Sequence, residues 1–142
     1  MEFIDNVLNK HKCSKRIIQP KTTVEHIENA IGFKIPSDYK QFLVRYQGFE
    51  KFFGPEYMAL WDMDELIEMN QSYEIIELLP RSLGIGSNMG GELIALKYFG
   101  NQSYEIVLTP FICFHEKENQ LQIGNSFTDF LIRLDNEEKW FR

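Results

Sequence analysis

At 142 residues the chain has the length of one domain, and its 44% hydrophobic and 14% aromatic content argues for a packed core and against disorder. A net charge of −6 disfavours direct binding to DNA or RNA, which needs basic side chains to neutralise phosphates, and favours a basic partner. The two cysteines, Cys13 and Cys113, make no disulfide framework. No apolar run approaches the ~20 residues that span a bilayer and no basic-then-apolar leader opens the chain, so a cytoplasmic protein is expected.

Phe3, Ile4, Val7 and Leu8 fall on one stripe of a helix from about Glu2 to Lys12. Ser14 to Lys21 is basic, lacks a period and reads as a connector. Thr22 and Glu25 have capping-box spacing, and Val24, Ile27 and Ile31 then give a second helical face that stops at Gly32. Pro36 suits the first turn of a third helix, with Tyr39, Phe42, Leu43 and Tyr46 in register and Gly48 expected as its left-handed cap. Phe49 to Pro55 reads as an aromatic loop, and Tyr57 to Trp61 as a short strand. Asp62 with Glu65 repeats the capping box, and Leu66, Met69, Asn70 and Tyr73 continue a fourth helix ending before Pro80.

Gly84, Gly86, Gly90 and Gly91 crowd a turn where two strands meet. A phosphate-cradling loop would end in Gly-Lys-Ser/Thr or open a helix, whereas Glu92 stands where the lysine would and a strand from Glu92 to Phe99 follows. The next strand is Tyr104 to Leu108, with further candidates at Phe111–His115 and Leu121–Ile123. Ser126 caps a last helix carrying Phe127, Phe130, Leu131 and Leu134, and Asp135 to Arg142 is a charged tail ending in Trp140-Phe141. Helices, then sheet, then helix predict a single α+β domain over residues 1–142. Its expected antiparallel twisted sheet of about four to six strands carries N-terminal helices, a middle helix and a C-terminal helix.

Chemistry is sparse. Cys113 and His115 would share one face of a strand, but no Cys-x-x-Cys or His-Glu-x-x-His completes a metal site, and core packing of Cys113 is the simpler reading. We expect no catalytic residue, metal or cofactor. The acidity is local: residues 1–48 carry a net charge of +3, residues 49–80 carry −7 and residues 81–142 carry −2. Helix capping explains part of that cluster. The alternative is recognition, an acidic field beside aromatic anchors, with Phe53, Glu56, Trp61, Asp64, Glu65 and Glu68 as candidate partner-binding residues and Phe52 and Tyr57 nearby.

Three stretches resemble signatures of one family. Ile35-Pro36-Ser37-Asp38-Tyr39, running into Phe42-Leu43 and Tyr46-Gln47-Gly48, resembles that of the SUKH superfamily, the group containing the fungal Smi/Knr cell-wall-assembly regulators and many bacterial relatives. Ile85-Gly86-Ser87, Gly90-Gly91-Glu92 and Ala95-Leu96 look like its second signature, and Gly124 to Leu131, with Ser126 and Phe127, like its closing helix. The likeness covers about Thr22 to Leu134; Asn88-Met89 and Tyr46-Gln47-Gly48 depart from the usual pattern. The resemblance implies an α+β domain without known catalysis. In bacteria it serves as an immunity protein that neutralises a cognate polymorphic toxin, often a nuclease; in fungi relatives regulate cell-wall glucan synthesis. Both roles stay open on these residues, and either implies a protein partner with the motif residues mainly structural.

Overall fold

Each strand pairs with the next one in sequence, so the sheet is an antiparallel meander of six strands in the order β1 to β6. The structure is a computed structural model that describes residues 2–141; Met1 and the last residue of the charged tail, Arg142, lie outside the described residues. The strands are β1 (Phe49–Phe53), β2 (Glu56–Leu60), β3 (Ser82–Ser87), β4 (Glu92–Gly100), β5 (Ser103–Pro110) and β6 (Leu121–Gly124). The helices are α1 (Glu2–Lys10), α2 (Val24–Ile31), α3 (Ser37–Arg45), α4 (Leu66–Ser72), α5 (Ile75–Leu78) and α6 (Phe127–Asp135). The α+β class, the antiparallel sheet and the helices at both ends and in the middle are as the sequence predicts.

The core is aromatic where α3, α6 and β1 meet. Phe42 lies 5.1 Å from Phe127 and edge-on to Phe49, while Tyr39 packs 5.1 Å from Phe127 between ring centroids. Tyr39, Phe42 and Phe127 are fully buried, each contributing about 2–3 kcal/mol of burial. Ile4, Val7 and Leu8 hold α1 to this core, but Phe3, expected on the same stripe, is 55% exposed at its end.

The structure corrects four expectations. Phe49 to Phe53 is a strand, not a loop: Phe49 and Phe53 face the core while Glu50 and Phe52 face solvent. Lys51 disguises that alternation, because it occupies an inward position where its Nζ donates to His11 O and Lys12 O at the end of α1. Gly48 is no left-handed helix cap, since α3 ends at Arg45 with Tyr46 extended. A Cβ on Gly48 would lie 2.5 Å from Asp62 N and 2.7 Å from Leu60 O, so glycine is required for close approach. The fourth helix breaks at Glu74, whose φ of 56° is left-handed, and resumes as α5 with Ile75 buried. Phe111–Cys113 is a 3-10 turn rather than a strand, closed by Thr109 Oγ1 and Gln120 Nε2 donating to Phe114 O, with Ile112 fully outward.

The basic connector is strapped down. Arg16 N–H donates to Arg45 O, Lys15 bridges Tyr46, and the Arg16 guanidinium donates to Leu43 O, Tyr46 O and the Asp62 carboxylate at 3.0–3.1 Å. Asp62 also accepts from Gly48 N–H at 2.9 Å, while Asp64 accepts from Lys21 and Thr22 N–H. Thr23, not Thr22, caps α2 by accepting from His26 N–H.

These contacts set a pH window. Burial would raise the Asp62 carboxyl, but the Gly48 amide and Arg16 outweigh it and hold it below its ordinary value of 3.8; amide hydrogen bonds from Thr22 and Lys21 do the same for Asp64. The Tyr46 hydroxyl similarly lowers Asp5, and His11 and Lys10 lower Asp135. Burial pushes the Cys13 thiol up to about 11, and burial together with the bond to Asp5 pushes Tyr46 up to about 12. Carboxyls that bind protons more weakly when folded stabilise the fold above pH 3.8 and lose that contribution as pH falls through their lowered values. The raised thiol and phenol act oppositely: their contribution is intact below pH 9.0 and is lost as pH rises through about 11 and 12. Urea midpoints across pH should therefore form a plateau that falls away at both ends; a midpoint unchanged below pH 3 would contradict the acidic arm.

Candidate partner-binding face

Cross-strand pairing builds this face. Glu50 pairs with Ala59 and Ala59 with Ser87, so these three side chains form one row across β1, β2 and β3 on the face away from Phe49 and Phe53. The neighbouring row is Phe52 and Tyr57, ring centroids 5.0 Å apart and edge-on, with Tyr57 OH donating to Glu50 Oε2 at 2.9 Å. Gly86 makes this part of the sheet possible, because a Cβ there would collide with Ala59 O.

Ala59 and Ser87 are small, and the space above them is a groove of about 410 Å³. Three aromatics from separate elements wall it: Trp61 stacks parallel to Tyr73 at 6.4 Å, and Tyr73 packs 4.6 Å from Phe111. Met69 and Met89 line it as well, and its charged lining residues are Glu50 and Glu65. The loop bearing Met89 is tied by Asn88, whose Oδ1 accepts from Gly90 and Glu92 N–H and whose Nδ2 donates to Glu92 Oε1. Phe52 is 67% exposed, Met89 56%, Tyr73 42% and Tyr57 36%, so large apolar side chains gathered on one face stand partly in water here.

The candidates named from sequence divide. Phe53 is fully buried, stacked on His11 at 4.0 Å, and Trp61 is 6% exposed, so neither is a free anchor. The strand alternation that turns Phe53 inward turns Phe52 out, while Trp61, just past the end of β2, lies on the groove side but stacks on Tyr73. Glu56 accepts from Trp140 N–H at 2.7 Å, Asp64 pins the connector, and Glu65 Oε1 accepts from Asp62 N–H in the predicted capping box. Glu68 is exposed on α4. Tyr73, Met89 and Phe111 carried no signal in sequence, because they meet only after the break at Glu74, the glycine loop and the turn at Phe111 have formed.

Of the motif residues, Pro36 precedes α3, Tyr39, Phe42 and Phe127 form the core, Gly48 and Gly86 permit backbone contact, and Ser126 caps α6 by accepting from Asp129 N–H. Gly90, Gly91 and Glu92 shape the loop beside the groove. In a second cavity, about 390 Å³, the lining residues Asp38, Tyr104 and Thr128 bond to one another. Cys113 and His115 lie in and after a 3-10 turn, not on one strand face; Cys113 Sγ accepts from Asn119 and His115 is exposed. Among the described residues no group of three or more His, Cys, Asp or Glu could hold a metal ion, and no helix is long and apolar enough to cross a membrane.

Residues 20–133 match the SMI1 / KNR4 family (SUKH-1). No individual curated protein matches the chain.

Proposed function

The chain belongs to the SMI1 / KNR4 family (SUKH-1), and from that premise we propose that it is a non-enzymatic protein-binding module of the immunity type, which binds and neutralises a cognate basic bacterial toxin in the cytoplasm. The observation that carries this is the face just described: exposed Phe52, Tyr57, Tyr73 and Met89 beside Glu50 and Glu65, within and next to a stretch whose net charge is −7. Aromatic and methionine anchors supply desolvated contact area, and the acidic surround steers a basic partner and sets its orientation. The same membership supports a second reading, a Smi/Knr-like regulator of cell-wall synthesis; a toxin gene beside this one would favour the first, and envelope genes the second.

The test is a pull-down with the product of the neighbouring gene, followed by titration calorimetry. Reversing Glu50 and Glu68 to Lys, both exposed, should weaken binding about tenfold or more and reduce its salt dependence, with an unchanged melting temperature. Unaltered affinity in that variant would rule out this face.

A further inference from the structure

We propose that the groove over Ala59 and Ser87 receives an arginine side chain of the partner, an inference that rests on the protein-binding reading and names the chemistry it recognises. The two small side chains leave a channel where their strand neighbours carry large ones, and the parallel Trp61–Tyr73 stack forms its wall. Tyr73, 42% exposed, offers an aromatic ring against which a flat cation can lie. Glu50 uses Oε2 to accept from Tyr57, and Glu65 uses Oε1 to accept from Asp62 N–H; among the described residues the other oxygen of each has no hydrogen-bond partner. Among the described residues no lysine or arginine lines the groove, and its charged lining residues are Glu50 and Glu65.

Three occupants can be compared. An apolar side chain would cover the second oxygen of each carboxylate and supply it no donor, which is costly. A lysine would bring charge, but its compact, strongly hydrated ammonium gains less from an aromatic wall. A guanidinium stacks flat on a ring while its in-plane N–H groups reach carboxylates at the edges, and it sheds water more readily. Walls of ring and ends of carboxylate therefore favour arginine over lysine at equal charge.

The probes are hexa-arginine and hexa-lysine peptides, titrated into the full chain and followed by backbone amide NMR. Hexa-arginine should bind about fivefold tighter, shifting the amides of Tyr73, Ser87 and Met89. Tyr73→Leu, which keeps apolar bulk but removes the ring, should bring the arginine peptide to the affinity of the lysine peptide, and Glu50→Gln should weaken both. Should Tyr73→Leu not fold, the exposed Glu50→Gln still tests the site. Equal affinity of the two peptides, or shifts centred elsewhere, overturns the assignment. A protein partner whose binding is unaffected by both variants overturns the groove assignment while leaving the protein-binding reading intact. Arginine selectivity at the groove with no protein partner found would support the site and remove the reading.

Discussion

Asn70→Ala should cost about 3 kcal/mol of folding stability, although Asn70 touches nothing on the candidate face. β2 pairs with β3 only at Ser87 and Gly86, and the chain then leaves through Trp61 and Asp62 toward α4. Gly84 is thus left without a strand neighbour on that side, in a strand buried at every residue. The fully buried Asn70 amide takes the missing place: Nδ2 donates to Gly84 O at 2.9 Å and Leu66 O at 2.8 Å, and Oδ1 accepts from Gly84 N–H at 2.7 Å. Alanine would strand a buried N–H and a buried carbonyl in a cavity, each unsatisfied group costing about 1–3 kcal/mol. Asn70→Asp should be at least as damaging, because a carboxylate has no donor for the two carbonyls. Urea denaturation with far-UV dichroism measures both, and a loss below about 1 kcal/mol for Asn70→Ala would show that water replaces the amide.

The sequence showed the elements whose burial pattern is self-contained. Period and caps marked α1, α2, α3 and α6, and turn residues marked β4 and β5, because each buries one stripe or bears its own stop signal. It failed where a distant group satisfies a residue that looks misplaced. Lys51 reads as a break in a strand until the end of α1 is there to accept its ammonium. Glu74 reads as helix until Ile75 must turn inward. At the site the acidic composition was visible, but its use was not. Missing β1 reversed the choice of aromatics, because inside and outside alternate along a strand, and Phe53 was chosen where Phe52 is exposed. Asp64 looked free because the backbone amides that occupy it come from a connector without periodicity, whereas the bond that occupies Glu65 was legible as capping-box spacing.

Asp38→Ala should also cost about 3 kcal/mol, because Asp38 ties the start of α3 to the start of α6. Asp38 stands in the first turn of α3, where its carboxylate accepts from its neighbour Tyr39 N–H, from Tyr104 OH on β5, and from both the N–H and the hydroxyl of Thr128 in the first turn of α6. Tyr104 Oη in turn accepts from Phe127 N–H at 2.7 Å, and burial together with the Asp38 carboxylate holds its hydroxyl well above its ordinary value. One carboxylate therefore locks two helix N-termini and a strand together, and the N-terminal partial charges of both helices favour it there. Removing it leaves three tertiary donors without an acceptor, whereas Tyr104→Phe removes one donor and one acceptor and should cost about 1–2 kcal/mol. Because the two side chains share one network, their double variant should be less destabilised than the sum of the singles, by more than about 1 kcal/mol. Additive losses would mean that α3 and α6 are held by the packing of Tyr39 and Phe42 on Phe127 rather than through this carboxylate.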